Sequence, residues 1–417
     1  MLLNFQRQMD EAARWGVVIV LFAAPTSRAL FNLASLLVLV GWIAAGHYRA
    51  RWDNVRQNPI LWPCVLLAVL IIIGIPYSQA PTHDILEHLR VYSKLLFVLV
   101  VVSLMDEAVW RRRAWIAFTA ALLLILCSTY ANVWWDLPWS RTHNQGFGQD
   151  HSVFTDYIVQ SVVTSFFVVL SLHLMRSSTS WRAQLIWALV AAAAAGSVIF
   201  LVQGRTGQLT LIAALLTYGC FTLPRRGLFI TVVVCAVLLA VLMWSSPLLM
   251  ARWSKALSEF HTFVQVQSQY DMGSSIGVRL SLWKMSWTLM QASPIWGHGT
   301  GSYHVLAASH FSDCTWTCFH PHNQFLFFGV ENGLIGVAAY SFLFLGLIRG
   351  ARGMDERDRV VVYCFVAVFF VNSIFNAPLW YRMESYIFYS LIGLLMAGSL
   401  GLRRVPSQSH RSSYFTN

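Results

Sequence analysis

Residues 318 to 336, CFHPHNQFLFFGVENGLIG, set His320, His322 and Asn323 directly ahead of an apolar run that itself carries Glu331. An imidazole is neutral for much of the time near pH 7, so His322 at such a boundary can take a proton from a hydroxyl as a general base. Pro321 precedes the run, and His322 or Asn323 can cap the first turn of a helix there. A capping histidine with no chemistry is the plainer reading of His322. Glu331 lies about two turns further in, where a carboxylate needs an Arg or a polar helix neighbour as partner.

Two arginines stand in similar settings. In VQGRTGQLT, residues 202 to 210, Gly204 and Gly207 flank Arg205 and Thr206. The glycines allow a tight turn, and the helix that follows presents free amides and its positive dipole end. Arg205 adds a planar fork that matches phosphate oxygens, so the group reads as an anion site or as an ordinary turn with a snorkelling Arg. In SSIGVRLSLWKMSW, Arg279 has Trp283 and Trp287 at i+4 and i+8. Aromatic rings beside a guanidinium occur at sugar and phosphate sites and also in interfacial belts.

His310, Cys314, Cys318, His320 and His322 are crowded enough to raise zinc, but their spacing fits no closed site. On an oxidising side of a membrane a Cys314–Cys318 disulfide is the favoured reading. No Asp-x-Asp pair, Walker loop or dinucleotide fingerprint occurs, so no metal and no cofactor is expected. An enzyme built this way would stabilise a leaving phosphate with arginines.

The elements that must carry these residues are set by the solvent. Of 417 residues 57% are hydrophobic and 11% charged, with mean hydropathy +0.58. A soluble domain carries about 25% charged residues, so most of this surface must face lipid. The net charge of +11 lies in short clusters between apolar runs, which argues for membrane topology rather than nucleic-acid binding. Apolar segments recur near 15–27, 29–45, 59–75, 87–105, 114–133, 153–175, 185–202, 208–223, 228–245, 323–348, 360–376 and 385–402. Their lengths, about 20 residues each, mark an all-α polytopic protein of about twelve transmembrane helices, residues 1–245 carrying nine and 323–402 three.

With both termini in the cytoplasm, every cytoplasmic connection holds at least two arginines, from Arg7 and Arg14 to Arg403, Arg404 and Arg411. The cations left outside are the informative ones. Arg252, Lys255, Arg279 and Lys284 fall in one long external segment, residues 246–322, whose sequence spells two amphipathic helices able to roof a cavity. Arg90 and Lys94 share one face of the fourth span, where a charge either lines a cavity or snorkels from the helix end. Residues 403–417 form a polar cytoplasmic tail.

The order Arg-Thr-Gly, then a long external segment with an Arg-x3-Trp helix, then PIWGHGTGSYH, then HNQFLFFGVENGLIG resembles the O-antigen ligase and polymerase superfamily. The chain length, and an external segment between spans nine and ten with no large extra domain, look most like the ligases. The resemblance implies a GT-C-like glycosyltransferase of the bacterial inner membrane that works on the periplasmic side. It would take a glycan from undecaprenyl diphosphate and join it to a sugar hydroxyl of lipid A-core. It carries Arg205, Arg279 and His322 over as essential residues, with Arg90 assisting at the diphosphate and Asn323, Glu331, Gly204 and Gly207 in support. It assigns no role to His298, His304 or His320. A related polymerase or protein O-glycosyltransferase would use the same residues. A secondary transporter or lipid flippase would also fit twelve spans, but no inverted repeat stands out and the polar residues lie at the outer face.

Overall fold

The structure is a computed structural model and describes residues 2–143, 145–230, 232–233, 236, 247–265, 273–311 and 318–401. Every regular element among them is helical. In chain order these are α1 (Leu2–Ala23), α2 (Arg28–Ala45), α3 (Tyr48–Val55), α4 (Leu61–Ile73), α5 (Thr82–Tyr92), α6 (Lys94–Leu104), α7 (Ala108–Ala131) and α8 (Tyr157–Ser177). There follow α9 (Trp181–Gly196), closed by a π-helical turn (Ser197–Leu201), then α10 (Arg205–Thr222), α11 (Pro247–Gln265), α12 (Ser275–Ala292), α13 (Ser302–His310), α14 (Gln324–Ala351), α15 (Glu356–Phe375) and α16 (Arg382–Gly401).

Six of these, α2, α7, α8, α9 with its π turn, α14 and α15, are long and apolar enough to cross a membrane. Against the twelve expected spans, α4 is apolar but short, and the fourth is divided at Ser93 into α5 and α6. Most of the ninth, residues 228–245, lies outside the described residues, as does the tail 403–417. Outward faces are apolar: Leu33, Leu36 and Ile43 on α2 and Leu185, Ile186 and Leu189 on α9 are all exposed, as suits a lipid solvent. Inside, α8, α15 and α16 bury Phe167, Phe365, Phe388 and Tyr389 in one core that also takes in α1, α4, α6 and α7.

Contacts sort the connections to two ends of the bundle. At one end Arg14 pairs with Asp10, Asp106 and Glu107, and Arg51 pairs with Asp10. At the other, Ser78 donates to Thr300 O, Trp283 to Pro321 O and Arg382 to Glu87. The charge pattern divides the same connections in the same way. At this second end α12 buries Leu282, Met285 and Leu289 against Tyr303, Phe327 and Val330. The roofing segment therefore has its own small core, fastened to the start of α14. Side-chain caps fix the helix starts that matter there: Asp156 accepts from Ile158 N and Val159 N of α8, Ser274 from Gly277 N of α12, and Asn323 from Leu326 N of α14.

Helix α14 is interrupted. Gly333 adopts φ 64° and ψ −160°, a region essentially confined to glycine. The interruption frees the carbonyls of Val330 and Glu331, which accept from His298 N at 2.8 Å and Gly299 N at 2.9 Å, while Leu334 N donates to Pro294 O at 2.8 Å. Backbone that leaves the helix at this depth is tolerated because the loop 294–301 satisfies it. Gly333→Ala is expected to cost at least about 1–3 kcal/mol, since a Cβ would overlap the Ile295 carbonyl as well as strain the backbone. A thermal melt in detergent checks this; an unchanged Tm would count against the interruption.

Candidate active site

His322 is built into the loop that enters α14. Its φ of 50° is left-handed, one of two such non-glycine positions among the described residues. The conformation is held from below by Asn323, which caps α14, and from the side by His320, whose Nδ1 accepts the His322 backbone N–H at 3.2 Å. The two imidazoles meet edge to face, 4.4 Å between centroids. Because His320 Nδ1 is an acceptor, that ring is neutral, and burial together with Arg279 pushes its pKa down to about 4. His322 is likewise held well below the usual histidine range, by burial first and then by His320 and Arg279. Its Nδ1 is buried with no hydrogen-bond partner among the described residues. A neutral imidazole with a free ring nitrogen is what proton acceptance requires.

Arg279 reaches the same place from α12, and Arg205 from the first turn of α10. Burial lowers the Arg279 guanidinium from its ordinary value; Tyr157 and Glu259 oppose the shift and Arg205 adds to it. Glu259 on α11 lies 3.8 Å from Arg205 Nη2 and also accepts Ile276 N at 3.2 Å, so it links α10, α11 and α12. Two guanidiniums thus face one carboxylate, and the excess positive charge sits beside His320 and His322. Such a site is preorganised for an anion.

The other expected residues divide. Asn323 acts as a helix cap. Gly204, at φ −81° and ψ 102°, makes no left-handed turn. The tight phosphate-binding turn expected of Gly204 and Gly207 is replaced by a close crossing, where a methyl group on either would overlap Ser161 of α8. Their small size lets α10 lie against α8 and so places Arg205. Among the described residues Glu331 pairs with no arginine: His88 Nε2 stands 2.9 Å from its Oε1, and Gly301 N donates to the same oxygen at 3.1 Å. The carboxylate therefore joins α5, the start of α13 and the interrupted α14. Glu331→Ala is expected to lose about 3–5 kcal/mol, because it leaves the buried His88 and Gly301 groups without their acceptor; thermal unfolding in detergent measures it, and a loss below about 1 kcal/mol would assign the pair no structural weight.

Arg90 is not brought to this group. It lies exposed on α5, 3.4 Å from Glu87, which also takes Arg382 at 2.7 Å. Among the residues with no assigned role, His298 Nε2 donates to Leu289 O, tying the loop to α12, and His304 stacks on Phe319 and approaches Asp84 at 3.4 Å. Cys318 is disulfide-bonded, and Cys314 lies outside the described residues.

One comparison bears on the family. Residues 189–341 match the family model described as O-antigen ligase. That stretch is similar to the O-antigen ligase family. No curated protein matches the chain. The matched stretch contains Arg205, Glu259, Arg279, His320, His322, Glu331 and Gly333, and so carries the group that the fold assembles. Arg90, Tyr157 and His88 lie outside it. Within the matched stretch, sequence reasoning passed over Glu259 and named His320 without giving it a role. Glu259 had a signal, a carboxylate on an amphipathic stretch otherwise charged by Arg252 and Lys255; His320 had only its place two residues before His322.

Proposed function

We propose that the chain is an O-antigen ligase of the bacterial inner membrane. It spans the bilayer about twelve times with both termini in the cytoplasm, and it transfers a glycan from undecaprenyl diphosphate to a sugar hydroxyl of lipid A-core on the periplasmic side. Arg205 and Arg279 hold the donor diphosphate. Their charge counts most as the glycosidic bond breaks and negative charge grows on the leaving oxygen. His322 takes the proton of the attacking hydroxyl while the anomeric carbon becomes oxocarbenium-like. One displacement with no protein nucleophile inverts the anomeric centre, and the arginines supply the charge that a metal ion would otherwise provide.

The observation that carries this reading is the convergence of α10, α12 and the α14 entry loop, which sets two guanidiniums with one shared carboxylate beside a neutral His322. A purified sample given lipid-linked glycan and lipid A-core in detergent should form the ligated product with inverted stereochemistry, at a rate unaffected by chelator. Failure to form product, with glycan repeats joined to one another instead, would point to a polymerase. No chemistry at all, with lipid moved across vesicles, would point to a transporter.

A further inference from the structure

A second cationic group lies at the same end of the bundle. Arg90 on α5, Lys94 at the start of α6 and Arg382 at the start of α16 surround Glu87, whose Oε1 accepts from Arg382 at 2.7 Å and Arg90 at 3.4 Å. Two exposed guanidiniums around one carboxylate leave one positive charge uncompensated, before the half-buried Lys94 amine is counted. Lys94 is partly buried, its Nζ 5.1 Å above the Tyr386 ring and 3.3 Å from Val91 O. The Arg90 and Arg382 side chains are 66% and 52% exposed, with their planar forks open to solvent and lipid. An uncompensated cationic cluster at an outer helix end runs against the topology signal, and an anionic lipid headgroup is the ligand that would neutralise it.

The group is separate from the His322 site but close to it. Leu379 N donates to Gln324 Oε1 at 2.9 Å, two residues from His322, and Trp380 packs on His88 at 4.1 Å. Arg382 follows Leu379 by three residues, at most about 10 Å of chain. A lipid phosphate held here would stand beside the reaction centre without entering it. We propose that Arg90, Lys94 and Arg382 bind the phosphate of the acceptor glycolipid, so that donor and acceptor are held by separate arginine groups. The inference rests on the ligase reading for the identity of that lipid.

The test uses the double variant R90Q/R382Q with the acceptor glycolipid in its phosphorylated form and after phosphatase treatment. The KM for phosphorylated acceptor should rise about tenfold for each arginine, the worth of one charge-assisted hydrogen bond, with kcat and donor KM unchanged. The dephosphorylated acceptor should show the raised KM already in the wild type and respond little to the substitutions. A raised KM for the donor would assign the group to the donor diphosphate and overturn the proposal. Equal loss with both acceptor forms would make the cluster structural and overturn it too. Native mass spectrometry decides independently of catalysis: the wild type should retain phosphorylated glycolipid over the dephosphorylated form and over phosphatidylglycerol, and R90Q/R382Q should not. Equal retention of phosphatidylglycerol would reduce the site to bulk lipid. A wild type that binds but transfers nothing would refute the ligase reading and leave the phosphate site standing.

Discussion

Replacing His322 with asparagine is expected to lower glycan transfer by about 10²–10⁴-fold, the usual contribution of a positioned general base, while leaving the protein folded. Asparagine is chosen because His322 holds φ 50°, and Asn tolerates the left-handed region better than Ala does. Its amide can hydrogen-bond a hydroxyl but cannot take the proton. The backbone N–H that donates to His320 Nδ1 is unchanged by the substitution, so the entry to α14 should survive. Activity and Tm together decide the matter. Near wild-type transfer by the asparagine variant would remove the base.

The same residue sets the pH response. Burial, His320 and Arg279 all hold the His322 pKa below its ordinary value. The neutral, active form therefore persists as pH falls below about 6.5, and the acid limb of the transfer rate lies below that value. The sign extends to stability. The unfolded chain takes up the proton first, so the contribution of His322 to folding is present above about pH 6.5 and is lost as pH falls toward the folded value. Removing the Arg279 charge should move the acid limb to higher pH.

Arg279→Gln is expected to cost about 10²–10³-fold in transfer, with kcat falling more than KM rises, because the charge it meets is largest on the departing diphosphate. The unliganded protein should meanwhile melt at the same temperature or higher. Burial already disfavours the Arg279 cation, and Arg205, with Glu259 as their shared carboxylate, disfavours it further. Relieving that repulsion stabilises the empty site at the expense of function. Arg279→Lys should recover only part of the loss, since a point charge cannot bind two phosphate oxygens as a planar fork does. A variant that melts early yet keeps its kcat would make Arg279 a structural residue.

The helical, lipid-facing architecture was legible because apolar run length and arginine placement are local properties of the chain. His322, Arg205 and Arg279 were singled out by type and boundary position, and their grouping was an expectation from resemblance. What escaped the sequence depends on distant partners. Glu331 called for an Arg or a polar helix neighbour, and which one, His88 on α5, is settled only by the fold. Gly333 reads as one more glycine in an apolar run; it interrupts α14 because the amides of His298 and Gly299 compete for the freed carbonyls. Gly204 and Gly207 carried a turn signal, while the constraint on them is the approach of Ser161 from another helix. Arg90 was singled out as a cation of the fourth span, but only the positions of Glu87 and Arg382 reveal the group it joins.

The central claim is that one centre on the outer side holds the lipid diphosphate between Arg205 and Arg279 with the anomeric carbon turned toward His322. An experimental structure of the full chain with bound undecaprenyl-diphosphate glycan tests it most directly. The account expects phosphate oxygens within hydrogen-bonding distance, about 2.7–2.9 Å, of both guanidiniums, and the sugar next to the His322 ring. A diphosphate seated instead at Arg90 and Arg382, or one that leaves His322 facing a separate cavity, would contradict it.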